Sequence, residues 1–553
     1  MAPTLGGLIG KPEEARMTTA DQALSREIER GMTRQDILRR AAALGIVVGG
    51  SFGPLTEAAF AESQIKRGGT FRQAVFGGST DFIDGQHIVA KSDIARLVAG
   101  FDGLARFDEK GKIQLHLAQE LNAEKANQYL IRVRKGVEFH NGKTLTIDDV
   151  IYSIRRTKNT KLKLFGNAAF GAIDLNNIKK LDKWTCRLKL SRPDVTLMEA
   201  FAQYFQGIVP KGYQPTAVGK GPLQYIGTGP FKVKSFTPGR ESVHVKNENY
   251  WISGQPYFNE VRIINFPSDA AKVNALLSGQ VEAMADVPFA QVPVVKGRGR
   301  KVLVSPTGAW TPLCMRVDTP PFDDVRVRRA FRLLINRPQV VQQGLSGYGF
   351  VGNDIYSPFD PAYAGDEFPQ RKYDPEQAKS LLKQAGHDSL SVELVTSPAD
   401  TGMVEGATIF AQNAKAGGVN VTVRNVDGGT IYGDQYLKWP FSADYWGTRN
   451  YLLQAATGVL KTAPFNETHW DAYSGYAKFE ALYRQALGTV DNKKRAQIIK
   501  EMQRMEYNDG GLIIWGFKSL TDGYSQKVAG YKVDRGTLNL NKYGNGFRTI
   551  YFV

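Results

Sequence analysis

The 553-residue sequence predicts a mixed α/β protein of more than one domain-sized unit, and three observations carry that prediction. Single cores stop growing beyond about 250 to 300 residues, so a chain of this length divides. Strand-like runs and amphipathic helical runs follow one another from residue 69 onward. One continuous stretch, 308–344, packs a strand, a stop and two helix starts together. Within it, 310–317 mixes β-branched, aromatic and long apolar residues without helical spacing and reads as a strand, which Pro320 and Pro321 end by removing amide donors. Asp323 and Asp324 offer a cap. Val327, Ala330, Phe331, Leu334 and Ile335 then share one helical face, while Arg326, Arg328, Arg329 and Arg332 project elsewhere. Pro338 can open a second short helix, and Gly344 can close it in the left-handed conformation that glycine adopts cheaply.

The other elements follow in order. Residues 69–76 alternate like a first strand, and Ser79 and Asp81 end the loop after it as candidate ligand groups, with a turn and helix cap as the alternative. Residues 129–134 alternate as a half-exposed strand, Asn141 and Gly142 form a tight turn, and Thr146 with Asp149 makes a capping box. His140, beside the turn, reads as structural. Gly227 and Gly229 lack the spacing of a phosphate loop and lead into a strand. Residues 269–286 read as helix, glycine stop and strand, 373–386 as a capped helix, 491–507 as a charged amphipathic helix, and 511–517 as a buried strand.

At 42% hydrophobic and 23% charged residues the composition is that of a globular protein, without disorder bias or a fixed repeat. A net charge of +17 suits nucleic acid, a membrane surface or acidic solutes. The dense basic runs are 296–301 and 326–332, and no zinc spacing or RNA-binding signature accompanies them, so charge spread over a solvated face is expected and nucleic acid is not an expected partner.

Residues 1–61 read as a leader and signal peptide: Arg34, Arg39 and Arg40 form a positive region, 41–52 an apolar stretch, and Ala59, Phe60 and Ala61 a small-x-small cleavage site. The apolar stretch is well short of the ~20 residues that span a bilayer. Residues 33–39 also look like a twin-arginine motif with Gln35 in place of the second arginine, so the Sec and twin-arginine routes both stand. No cysteine follows the apolar stretch, which implies a periplasmic protein without lipid, starting near Glu62. The two cysteines, Cys186 and Cys314, lie in strand-like contexts where buried free thiols are expected over a bridge.

The wording PPFDDVRVRRAFRLLINRPQVV, with the blocks at 117–151, 226–251, 269–286 and 373–386, resembles family 5 of the extracytoplasmic solute-binding proteins of ABC importers, the dipeptide, oligopeptide and nickel binders. The resemblance spans residues 66–550 and departs at Asn336, where the family has an acidic residue before Arg337. It implies the two-lobed periplasmic binding protein fold (type II, cluster C-like): lobe I over 66–300 with a return segment over 515–553, lobe II over 301–514, and a hinged cleft between them. It also implies a monomer that captures a small-molecule or peptide solute and delivers it to an inner-membrane permease with ATPase subunits. A periplasmic sensor or chaperone-like module using the same cleft is the alternative. The six histidines are scattered and no HExxH, GxSxG or CxxC occurs, so no catalytic residue, metal or cofactor is expected.

In dipeptide and oligopeptide binders, the segment matching 441–453 supplies an aromatic residue and then a carboxylate for the peptide's amino terminus. Here Trp446 fits the aromatic, Arg449 is the next charge, and Asp444 lies upstream. The expected solute is therefore acidic or carboxylate-bearing, with Trp446 stacking, Arg449 holding the anion and Asp444 holding an amine or hydroxyl. Tyr445, Trp310, Ser79 and Asp81 complete the candidate set. The alternative is a structural Arg449, paired with Asp444 or stacked on Trp446.

Overall fold

Apolar residues at alternate positions bury Thr70–Phe76 in the middle of the largest sheet. The computed structural model describes residues 65–76, 81–88, 91–162, 164–215, 224–536 and 538–553, so the expected leader and Ser79 lie outside the described residues. Across this eight-stranded sheet the order is Lys301–Ala309, Gly516–Tyr524, Ala283–Met284, Thr70–Phe76, Glu260–Phe266, Glu241–Lys246 and Phe231–Thr237, with Gly349–Val351 pairing beside Gly516–Tyr524. Thr70–Phe76 runs parallel to both of its neighbours, and Gly516–Tyr524 runs antiparallel to both of the strands that flank it.

A four-stranded antiparallel sheet is inserted in this part of the chain: Ala118–Lys125, Gln128–Val133, Thr185–Leu190 and Ile173–Lys180. Helix Ile147–Thr157 covers it, entered through Asp149, which accepts the Thr146 N–H and hydroxyl at 2.9 Å each. His140 pins the glycine turn that follows. Its Nδ1 accepts the Gly227 N–H at 3.3 Å and its Nε2 donates to the Gly229 carbonyl at 3.0 Å, and burial pushes the imidazole down to about 4.

The other lobe is built on a five-stranded sheet in the order Val419–Asn425, Leu390–Thr396, Phe441–Ala443, Leu313–Met315 and Leu512–Ile513. Phe331, Leu334, Phe410, Phe441 and Trp515 fill its core. The chain crosses between the two large sheets twice, over 309–313 and over 513–516. The expected strand 511–517 is therefore two strands in different sheets, and Lys301–Ala309 belongs to the sheet of Thr70–Phe76. The fold is two-lobed, with a first lobe to which the C-terminal segment returns.

Side-chain caps begin several of the helices. Asp324, Asp374 and Asp491 accept from Arg326, Gln377 and Lys494 backbone N–H groups. Asn336 does the same for Gln339 at 3.3 Å, so the departure from the family wording is a helix cap. Gly344 is the last helical residue of Arg337–Gly344 and the left-handed positions come later, at Ser346 and Gly347 with φ of 50° and 78°.

The arginine run differs from a solvated face. Arg328 and Arg332 are 3% and 1% exposed, and they end helix Asn492–Asp509 by donating to its last carbonyls. Arg332 reaches the Tyr507, Glu506 and Leu512 oxygens at 2.7, 3.2 and 2.9 Å, and Arg328 reaches Asp509 O at 2.8 Å. Arg337 and Arg371 each pair with buried Asp354 at 2.7 Å. Cys186 and Cys314 are free and buried. Near the C-terminus, residues 540–547 wind left-handed; Gly544 and Gly546 adopt this freely, and Leu540, Tyr543 and Phe547 bury their side chains there.

Candidate functional site

The sheet crossing at 309–313 brings Trp310 against the segment after Phe441–Ala443, where Trp310 and Trp446 exchange backbone hydrogen bonds of 3.0 and 2.8 Å. Four rings then stack in series, Trp446 on Trp310 at 6.1 Å, Trp310 on Tyr356 at 5.9 Å, and Tyr356 on Tyr451 at 4.9 Å. The stack ends on Glu506, which accepts both tyrosine hydroxyls and which burial pushes up to about 7. This pillar holds the loop carrying Thr448, Arg449 and Asn450.

Those three residues form one wall of a cavity of about 150 Å³. Phe359 adds to that side, and lobe I supplies the others, from residues 98–116, 199–204 and 535–548. Arg449 lies over the Trp446 ring at 5.1 Å and donates to Gln454 Oε1 at 3.4 Å, and among the described residues no carboxylate lies within 4.0 Å of it. Burial lowers its pKa, the mark of a cation stripped of water.

Of the residues singled out from sequence and described here, Arg449 alone lines the cavity. Trp310 and Trp446 are 2% and 6% exposed inside the pillar. Asp444 lies behind it, with Oδ1 accepting Tyr432 OH at 2.9 Å and the Tyr445 N–H at 2.7 Å, and Oδ2 accepting Tyr436 OH at 3.1 Å. Its neighbour Glu467, held well above the usual carboxylate range by burial and by Asp444, binds Trp446 Nε1 at 3.2 Å and Cys314 Sγ at 3.4 Å. Tyr445 is half exposed and packs its ring edge-on against Tyr432. Asp81 is buried in lobe I against Ser92, Asn265 and Arg96.

Sequence reasoning missed the rest of the wall. Arg106, Arg535, Lys542 and Arg548 face the same space, with Asp102 and Glu199 as its carboxylates. These residues come from three segments far apart in sequence, and none stands in a motif. Asp102 is occupied by His116 and Trp251 at 2.8 and 2.9 Å and by Thr228 and Tyr250 at 3.3 and 3.4 Å. The cavity wall thus carries four guanidinium groups, those of Arg106, Arg449, Arg535 and Arg548, with no carboxylate within 4.0 Å among the described residues.

Residues 112–502 match the family model for bacterial extracellular solute-binding proteins, family 5. The chain is 24% identical over 445 residues to the dipeptide-binding protein of Escherichia coli K12, covering 74% of this chain and 82% of that one. Its fold superposes on AgaA in complex with agropinic acid from A. tumefaciens R10 with a TM-score of 0.70 at 22% identity, covering 88% and 99% of the two chains. With the ABC transporter substrate-binding protein CtaP of Listeria monocytogenes the TM-score is 0.76 at 17% identity, over 88% and 100%. The protein is a bacterial extracellular solute-binding protein, and the chain belongs to family 5 of that class.

Proposed function

We propose that this protein captures an acidic, peptide-like solute in the cavity between its lobes and hands it to the permease and ATPase subunits of an ABC importer. The observation that supports this reading is Arg449, a largely buried guanidinium on the cavity wall without a carboxylate partner among the described residues. A planar two-donor fork suits a carboxylate, and such a charge-assisted pair contributes about 1.5 to 3 kcal/mol. Trp446 serves by fixing Arg449, while Asp444 and Asp81 brace their segments from behind, with Tyr445 and Trp310 as parts of the same frame. The hinge lies at the crossings 309–313 and 513–516, which carry the two lobes as they close. The dipeptide-binding relative supports a peptide-like solute.

The mature protein starts near Glu62 in the periplasm, exported by the Sec or the twin-arginine route; no described helix is long and apolar enough to cross a membrane. N-terminal sequencing of the exported form checks the start. The function is tested by denaturing the protein purified from its own periplasm and identifying the released solute by mass spectrometry, followed by calorimetry with that compound. An acidic solute of peptide-like size is expected. A released solute without an anionic group would overturn the reading.

A further inference from the structure

Arg449 is one positive charge on the cavity wall, and three more guanidinium groups remain. Arg548 is 5% exposed and its buried Nη2 has no hydrogen-bond partner among the described residues. Arg535 lies over the Phe359 ring at 4.8 Å. Neither these two nor Arg106 has a carboxylate within 4.0 Å among the described residues, although all three face the cavity. Lys542, by contrast, is taken up by Asp534 and by the Asp108 carbonyl at 3.3 Å.

The two carboxylates on the wall do not balance this charge. Asp102 is committed to four donors of its own. Glu199 faces Asp360 and Asn450, with Arg495 and Asp194 further off, and burial together with Asp360 pushes it up to about 7, so that it is only partly charged at neutral pH. A buried guanidinium donor without a partner is half of an unmade pair, because a charge withdrawn from water demands a counter-charge.

We infer that the solute carries two anionic groups, one held by Arg449 and the second by Arg548, with Arg535 on the same cavity wall. This rests on the reading of the cavity as the solute site and adds the chemical class: a compact dianion, such as a dicarboxylate or a carboxylate bearing a phosphate, in place of a zwitterion without net charge. Size agrees, since about 150 Å³ falls below the ~300 to 1,000 Å³ of ordinary ligand pockets.

The test is a calorimetric ladder of α,ω-dicarboxylates from succinate to azelate, each beside the monocarboxylate of equal length, on the exported protein. At least one dicarboxylate is expected to bind about tenfold tighter than its monocarboxylate. Arg548→Gln should erase that preference and leave the monocarboxylate where it was. Arg535→Gln, at an exposed position where folding is not at stake, should reduce the preference as well. A ladder in which no length is preferred, or in which nothing binds, overturns the inference, as does a preference that survives both substitutions. If Arg449→Ala changes no affinity while Arg548→Gln does, the second subsite stands and the role given to Arg449 falls, so the two failures are distinguishable.

Discussion

Two sets of arginines divide this molecule, and they differ in who satisfies them. Arg328, Arg332 and Arg337 are buried and Arg371 is largely so, and each finds helix-end carbonyls or Asp354 waiting. Arg106, Arg449, Arg535 and Arg548 surround a cavity and, among the described residues, find aromatic faces, an amide or nothing. Burial alone therefore does not mark a binding arginine. What marks Arg449 and Arg548 is a guanidinium withdrawn from water on a cavity wall, with no carboxylate within 4.0 Å among the described residues.

The comparison breaks if removing a satisfied arginine's partner is harmless. Asp354→Ala strands Arg337 and Arg371 in the core and should cost about 3 to 5 kcal/mol in denaturant unfolding. Solute affinity of the folded fraction should stay constant. Arg332→Met removes two carbonyl contacts at the end of helix Asn492–Asp509 and a third to Leu512, and should cost roughly 2 kcal/mol, again without touching affinity.

Acidity sharpens the contrast. Glu199, raised to about 7, is neutral below that pH and charged above it, and its charge opposes an anion in the same cavity. Solute affinity should therefore fall as pH rises from 6 to 8, by roughly threefold to tenfold, and Glu199→Gln should flatten the profile. The Asp354 carboxylate moves the other way: its arginine partners hold its pKa down despite burial, so its contribution to stability is present above about 3.9 and disappears as pH falls through its lowered value. At the small end, Arg326 pairs with Asp324 in solvent, and Arg326→Ala should leave the unfolding midpoint where it was.

Local grammar made much of the fold legible. Asp324, Asp374 and the Thr146–Asp149 pair are caps whose partners lie within three residues, and all three were readable, whereas Asp491, read as part of its helix, is the cap before it. The arginine run was not, because the carbonyls that Arg328 and Arg332 serve lie about 180 positions downstream. Gly344 was misplaced by two or three residues, since Ser346 takes a left-handed conformation that composition favours for glycine. Arg449 was readable from its place after Trp446, whereas Arg106, Arg535 and Arg548 come from segments far apart in sequence that meet only in the fold. The aromatic pillar also stayed hidden. Trp310, Tyr356, Trp446 and Tyr451 are spread over 141 residues and meet only in three dimensions.

The most direct measurement pairs one arginine from each set. Arg449→Ala and Arg332→Met are titrated with the solute released from the native protein, and each is melted without it. The account predicts that Arg449→Ala loses at least about tenfold in affinity, or 1.4 kcal/mol, with its melting temperature nearly unchanged, while Arg332→Met melts several degrees lower and binds normally. Unchanged affinity in Arg449→Ala, or loss of its fold without solute, would contradict it.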